Sequence, residues 1–177
     1  FIGPNARAAV NEGRADFVPV FLSDVPQLFL KGALPLDAVF LNVSPPDAHG
    51  FCSLGTSVEA LHAAISASTT VIAQFNASMP RTLGESFVHV NDIDLAIEVD
   101  VPPYEHARPE IGEVERAIGQ HIADLVPDGA TLQLGIGAIP AATALFLTDK
   151  QNLGVHTEIF TDSIVDLVNA GVVTGAH

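Results

Sequence analysis

Residues 133–162 constrain the fold of this chain more than any other stretch. Leu132 to Leu134 is a short apolar run that predicts a strand, and two glycines follow it directly. Ala141 to Leu147 then predicts a helix, and Leu153 to Thr157 predicts a second strand. Strands joined by a helix in this way lie parallel in one sheet. The stretch therefore predicts an α/β fold.

The same unit predicts where a ligand would bind. In open parallel sheets, ligands lie outside the carboxyl ends of the strands. The glycine turn Gly135–Ile139 and the segment Thr157–Asp162 both come at that end, and Pro140 suits the first turn of the following helix. We therefore expect Glu158 to face a glycine-lined turn.

Glu158 is the candidate catalytic residue, because it lies among apolar neighbours where an ionised side chain needs partners or water. A carboxylate in this position can act as a nucleophile in covalent catalysis. The alternative is a solvated loop acid or the partner of an ion pair. The spacing of the residues leaves both interpretations open.

The glycine turn also has two interpretations. Its backbone N–H groups could bind a phosphate or a developing oxyanion, or the turn could only join a strand to a helix. Pro140 occupies the position where a dinucleotide-binding fingerprint has its third glycine, so a Rossmann cofactor site is weakly supported.

Three polar residues near the turn complete the candidate site. Gln133 could orient a ligand carbonyl or point to solvent. His156 precedes Glu158 by two residues, so a strand would place both side chains on one face. His156 could then assist acid–base chemistry or be a hydrogen-bonded structural histidine. For Asp162 we favour capping of the helix that begins at Ser163.

Composition excludes several classes of function. The 177 residues include only seven Lys or Arg and carry a net charge of −14, which disfavours nucleic-acid binding. The one cysteine, Cys52, excludes an internal disulfide and a thiolate metal cage, and we expect it to be a buried or bystander thiol. The histidines and acids show no metal-ligand spacing. No apolar run has the length of a membrane span, so we expect a cytoplasmic protein.

The rest of the chain alternates strands and helices on either side of a proline-rich stretch. Residues 101–111 form the predicted linker, so the chain divides into residues 1–100 and 112–177. Both ends look cut, and we expect the chain to be a segment of a longer protein. The other predicted elements are strands at Phe17–Phe21, Ala38–Val43 (of the fully buried type), Thr69–Phe75 and Ile93–Val99 (an edge strand), a helix at Asp24–Leu30 capped by Ser23 and ended near Gly32, a helix at Val58–Ser66, and a helical apolar stripe of Val114, Ala117, Ile118, Ile122 and Leu125.

Four separated motifs, in order, carry a family resemblance. They are Met79-Pro-Arg-Thr-Leu-Gly-Glu-Ser-Phe, Glu110-Ile-Gly-Glu-Val-Glu, Gln133-Leu-Gly-Ile-Gly-Ala-Ile-Pro and His156-Thr-Glu-Ile-Phe-Thr-Asp. Together they resemble the acetyl-CoA hydrolase/transferase family, in particular its 4-hydroxybutyrate and acetate CoA-transferase branch. Ser163 departs from the pattern, since the family commonly has glycine there.

The resemblance implies two α/β domains of the CoA-transferase type, with residues 1–100 at the end of the first and 112–177 at the start of the second. It implies that a glutamate, here Glu158, attacks an acyl-CoA thioester and becomes a glutamyl-CoA thioester. The CoA-contacting loop would then be Gly135, Ile136, Gly137, Ala138 and Ile139. Gln133 would lie beside the acyl group, and Asn76 of the preceding domain would face the same cleft.

The expected substrates are an acyl-CoA and a small carboxylate, with coenzyme A as a substrate and no tightly bound cofactor or metal. We also expect a homo-oligomer that binds neither nucleic acid nor membrane. Two rival hypotheses are thioester hydrolysis at the same site and a non-catalytic α/β segment in which Glu158 has no chemical role.

Overall fold

The computed structural model describes residues 2–176, and the chain divides after Tyr104 into two compact units. The first unit contains helices α1 (Pro4–Asn11), α2 (Val25–Leu30) and α3 (Leu61–Ala67), strands β1 (Leu36–Val43), β2 (Phe51–Ser53), β3 (Ser68–Asn76), β4 (Phe87–His89) and β5 (Leu95–Val99), and short 3-10 helices at Leu22–Asp24 and Val90–Asp92. The second unit contains helices α4 (Glu113–Asp124), α5 (Ala138–Leu145) and α6 (Asp162–Asn169) and strands β6 (Thr131–Leu132) and β7 (Gly154–Val155). The division lies within the predicted linker, residues 101–111.

The first unit is built on a parallel sheet in the order β1-β3-β5. In its register, Val39 pairs with Val71 and Leu41 pairs with Ala73. The β-branched run in β3 favours this extended conformation. β5 is an edge strand, as its alternating pattern predicts, and β2 pairs with β4 in a separate antiparallel ladder.

One face of the sheet forms the core of the first unit. Buried residues of β1 and β3 pack there with residues of α3, β2 and β4: Val39, Leu41, Val43, Val71, Ala73, Ala64, Cys52, Leu54 and Val88. Cys52 is completely buried, as predicted, and burial raises the pKa of its thiol.

The prediction that β1 is buried on both faces is wrong. Burial alternates along the strand, and the Phe40 side chain is 75% exposed. A run of apolar residues is typical of a strand covered on both sides, but only the side that faces the core of this unit is covered.

Two predictions near the start of the chain are also wrong. Phe17–Phe21 forms no strand and is exposed, and Pro19 lacks the N–H that a strand ladder uses. Ser23 does not cap α2, because it lies inside the preceding 3-10 helix. The predicted end of α2 is confirmed, since Gly32 follows it with φ +68°.

In the second unit, β6 and β7 are parallel, as the strand–helix–strand pattern predicts. The core below them consists of Ala123, Ala144, Leu147, Leu153, Leu167 and Val172. These residues come from α4, α5, α6 and the segments that flank β7, so the core joins all the helices of this unit. The structure therefore has the α/β fold that the sequence predicts.

The packing face of α4 differs from the predicted apolar stripe. Val114, Ile118 and Leu125 are exposed, whereas Gly119 and Ala123 are the buried residues of the helix. α5 lies so close to α4 that only the smallest side chains fit between them. The hydrophobic periodicity therefore predicts the helix correctly but selects the wrong face.

The helices are short; the longest in the two units, α4, has 12 residues. Among the helices of residues 2–176, none has the length and apolar character that a bilayer crossing requires.

Asp47 organises the loop that follows β1. Its Oδ1 accepts hydrogen bonds from the backbone N–H groups of His49 and Phe51, both at 2.9 Å. Its Oδ2 accepts one from Arg81 at 2.6 Å, and Arg81 also donates to the Phe51 carbonyl and lies 4.6 Å from the centroid of the Phe87 ring. The Phe51 N–H, the His49 N–H and the Arg81 charge hold the pKa of Asp47 below its ordinary value.

We predict that Asp47 makes the stability of the chain depend on acid pH. A carboxylate with a lowered pKa stabilises the folded state above its unfolded pKa of about 4, and this contribution is lost as the pH falls through the folded pKa. Asp47→Asn should therefore lower the melting temperature at pH 6, and the difference from the unaltered chain should shrink below about pH 4. Asp37→Asn, at an exposed position of β1, is the control. An Asp47→Asn effect that does not change between pH 6 and pH 2 would contradict the prediction.

Candidate functional site

The glycine turn joins β6 to α5. Leu134 is buried at the end of the strand, and Gly137 is the residue before the first turn of the helix. Gly137 has φ +119° and ψ −178°, a conformation that is essentially restricted to glycine. A Cβ at Gly135 would be 4.0 Å from Pro140 Cγ, so the first turn of α5 is near this glycine and leaves space for a methyl group.

Two hydrogen bonds connect this turn to the segment that follows β7. The His156 N–H donates to the Leu132 carbonyl at 2.9 Å. The Thr157 hydroxyl donates to the Leu134 carbonyl at 2.8 Å, directly before Gly135. The residue after Thr157 is Glu158, so the segment that carries the candidate nucleophile lies beside the glycine turn.

The polar side chains at this edge are open to solvent. Gln133, His156 and Glu158 are all exposed, as is Ile136 within the turn. The Glu158 carboxylate is therefore accessible to an electrophilic reactant, and the N–H groups at the start of α5 are oriented as anion-binding groups are. The carboxylate is also reached by water.

The prediction that Asp162 caps a helix is wrong. Asp162 is the first residue of α6, Thr161 precedes it, and no side-chain cap hydrogen bond forms. Asp162 instead pairs with Arg108 at 3.3 Å, and Arg108 also pairs with Asp166 at 3.0 Å. The hydrogen bond to Asp166 and the two acidic charges raise the pKa of Arg108. These exposed pairs connect the linker to the first turn of α6.

Ser163 lies in the first turn of α6, with a helical backbone. Asn152, with φ +55°, is the one residue other than glycine with positive φ in the described part of the chain. The replacement of the family's glycine by Ser163 is therefore compatible with the backbone at this position.

Asn76 lies in the first unit, at the carboxyl end of β3, and its side chain is buried. Its Nδ2 donates to the Val101 carbonyl at 2.7 Å, and its Oδ1 accepts from the N–H groups of Ser78 and Val101, both at 3.1 Å. The side chain thus joins the end of β3 to Val101, two residues after the end of β5. A substrate-binding role for Asn76 stays a prediction.

The sequence analysis missed Thr157 and Arg108. Thr157 was assigned to the second strand, and only its position directly before Glu158 marks it as a residue at the strand end. Arg108 is one of only seven Lys and Arg residues, and Asp162 and Asp166 have the spacing of residues on one face of a helix. The ion pairs are not evident from the sequence, because Arg108 lies far before both acids in the chain.

Within residues 2–176, no group of three His, Cys, Asp or Glu side chains is arranged as metal ligands would be.

Residues 1–103 match the acetyl-CoA hydrolase/transferase N-terminal domain. The chain belongs to the acetyl-CoA hydrolase/transferase family. The match covers the unit that contains Asn76 and ends near the boundary between the two units. The family assignment agrees with the four motifs.

Relatives with assigned names extend the similarity over both units. The chain is 50% identical over 173 residues to 4-hydroxybutyrate coenzyme A transferase of Clostridium kluyveri, covering 98% of this chain and 40% of the relative. It is 48% identical over 178 residues to succinyl-CoA:acetate/propanoyl-CoA:succinate CoA transferase of Fasciola hepatica, covering all of this chain and 37% of the relative.

The crystal structure of 4-hydroxybutyrate CoA-transferase from Porphyromonas gingivalis has the same fold. The TM-score is 0.84 at 38% sequence identity, covering 98% of this chain and 45% of that one. The chain therefore spans about two fifths of the length of the curated relatives that it matches.

We predict that Asn76→Ala lowers the free energy of unfolding of the first unit. The substitution removes the three hydrogen bonds of a buried side chain, and each such bond contributes about 0.5–1.5 kcal/mol. Denaturant unfolding measures the loss, and Asn42→Ala, an exposed asparagine on β1, is the matched control. Equal stabilities of the two variants would contradict the structural role of Asn76.

We predict that the two glycines of the turn differ in their tolerance of alanine. A Cβ at Gly137 meets no atom within 4 Å, so the cost of Gly137→Ala comes from its positive φ and should be about 1–3 kcal/mol. Gly135 has no positive φ and space for a Cβ, so Gly135→Ala should unfold at nearly the same denaturant concentration as the unaltered chain. Similar losses of stability in Gly135→Ala and Gly137→Ala would contradict the prediction, because they would show that a side chain at Gly137 does not strain the backbone.

Proposed function

We propose that this chain carries the nucleophile of a CoA-transferase, and that Glu158 is that nucleophile. The observation that supports the proposal best is the hydrogen bond from Thr157 to the Leu134 carbonyl, which holds the Glu158 segment beside the glycine turn. The family assignment and the names of the relatives support the same class of reaction.

The reaction would take place in two stages. The Glu158 carboxylate attacks the thioester carbonyl of an acyl-CoA, the C–S bond breaks, CoA leaves as a thiolate, and an acyl-glutamyl anhydride forms. The thiolate then attacks the glutamyl carbonyl, which releases the acyl group as a carboxylate and leaves glutamyl-CoA. An incoming carboxylate then attacks glutamyl-CoA, the same steps take place in reverse order, and the carboxylate leaves as a new acyl-CoA. Two covalent stages replace one difficult transfer.

The glycine turn would stabilise the charges in this sequence. In the proposal, Gly135–Ile139 contacts CoA, and its N–H groups donate to the oxyanion that forms on the thioester carbonyl. Each such donor contributes roughly 3 kcal/mol in other enzymes. The start of α5 also suits the phosphate groups of CoA.

The other predicted site residues contact the acyl group. Gln133, exposed beside the turn, would orient the acyl carbonyl. A substrate-binding role for Asn76 in the first unit belongs to the same proposal, through the backbone groups that its side chain positions. The proposed substrates are a short-chain acyl-CoA and a carboxylate of the acetate or 4-hydroxybutyrate type, with CoA as a substrate rather than a bound cofactor. A homo-oligomer is part of the same proposal.

The exposure of Glu158 favours thioester hydrolysis as a second candidate activity. Water that reaches the anhydride or the glutamyl-CoA would release both products without an acceptor, and transferases depend on its exclusion. Acceptor-dependent transfer of CoA would support the first proposal, and release that is independent of added acetate would support the second.

We predict that acyl-CoA forms a covalent adduct on Glu158. Incubation with acetyl-CoA followed by borohydride should reduce the glutamyl thioester to an alcohol, which peptide mass spectrometry can locate. Glu158→Gln should abolish the adduct, since an amide is a poor nucleophile. Glu98→Gln, at an exposed acid on β5, should leave it unchanged.

A modified Glu98 with an unmodified Glu158, or an adduct that survives in Glu158→Gln, would contradict the proposal. A melting temperature that CoA does not raise would favour the non-catalytic alternative.

A further inference from the structure

Helices α4 and α5 approach each other closely at Gly119. A Cβ built on Gly119 would lie 2.8 Å from the backbone C of Ala142, 2.8 Å from the backbone N of Thr143 and 3.0 Å from the Ala142 carbonyl oxygen. Cβ atoms do not come this close to backbone atoms, so any side chain at residue 119 must separate the two helices. Gly119 is buried and lies inside α4, where glycine costs about 1 kcal/mol relative to alanine.

A side chain at Gly119 would push α5 away from α4 at Ala142 and Thr143. The same helix begins at Ala138, directly after Gly137, so a displacement of α5 also moves one end of the glycine turn. The core of the second unit, in which Ala123 of α4 packs with Ala144 and Leu147, opposes this displacement.

The opposite side of the turn cannot follow this movement. Leu134 is buried, and its carbonyl is bonded to the Thr157 hydroxyl beside Glu158. The glycine turn is therefore attached at both ends, to β6 and β7 through Leu134 and to the start of α5 after Gly137. Any change in the separation of these two ends must be absorbed by the backbone of Gly135, Ile136 and Gly137.

We propose that Gly119 is a positioning residue for the glycine turn: by allowing α5 to lie against α4, it sets the direction of the turn's N–H groups relative to Glu158. Gly119 contacts no reactant itself. The expected effect of Gly119 on CoA affinity rests on the function proposed above. Its expected effect on the conformation of the glycine turn does not.

The test compares three variants of the whole chain labelled with 15N. Gly119→Ala should shift the amide resonances of Gly135, Ile136 and Gly137 and weaken CoA binding about tenfold, which corresponds to the loss of one hydrogen bond to a charged group. Ala117→Gly, at an exposed position of α4, weakens the same helix without changing its contact with α5. It should lower the melting temperature and leave the turn amides in place. A merely structural role for Gly119 would make the two variants behave alike.

Ala142→Gly keeps the test decisive if Gly119→Ala does not fold. It removes a methyl group from the fully buried residue that Gly119 faces, and should also shift the turn amides. If Gly119→Ala and Ala142→Gly both fold and their amide resonances at Gly135, Ile136 and Gly137 are not shifted, the proposal is overturned. Failure of CoA to bind the unaltered chain would contradict the proposed function instead, while the amide comparison would still decide the role of Gly119.

Discussion

The parallel pairing of β6 with β7 is the interaction on which the candidate site depends. The ladder is short, with two residues in each strand, and the hydrogen bond between Thr157 and Leu134 extends it by one side chain. Hydrogen bonds of this kind contribute about 1 kcal/mol each, so the ladder would be weak by itself. The apolar core beneath it, which includes the fully buried Leu147 and Leu153, supplies the stability that holds the two strands together.

Small residues determine how this core is assembled. Gly119 and Ala123 allow α4 to lie directly against α5, so that the backbone of one helix contacts the other. Such close packing makes the position of α5 sensitive to single methyl groups, since protein interiors have little free space. The start of α5 is also one side of the glycine turn. The geometry of the candidate site is thus linked to a contact that is remote from it in the sequence.

Much of the fold could be predicted because its signals are local. The strand–turn–helix–strand order around Gly137 specifies parallel strands, and the proline-rich stretch after Val101 contains the boundary between the units. The errors arose where a local pattern has two three-dimensional solutions. Phe17–Phe21 has strand-like residues but no neighbouring strand, and the apolar stripe of α4 is exposed because α5 packs on the glycine face instead. Asp162 could cap a helix, but Arg108 competes for its carboxylate.

The sequence by itself determined the family and the α/β class, because these follow from motifs and periodicities within short stretches, and it predicts the residues of the candidate site. Tertiary structure alone decided which face of α4 is buried, that Asn76 is committed to three internal hydrogen bonds, and that Thr157 holds the Glu158 segment against the turn. The physical reason is that these features depend on distances between segments that are far apart in the chain. Hydrophobic patterns report that a residue favours burial, but the shape of the neighbouring element selects the residue that is buried.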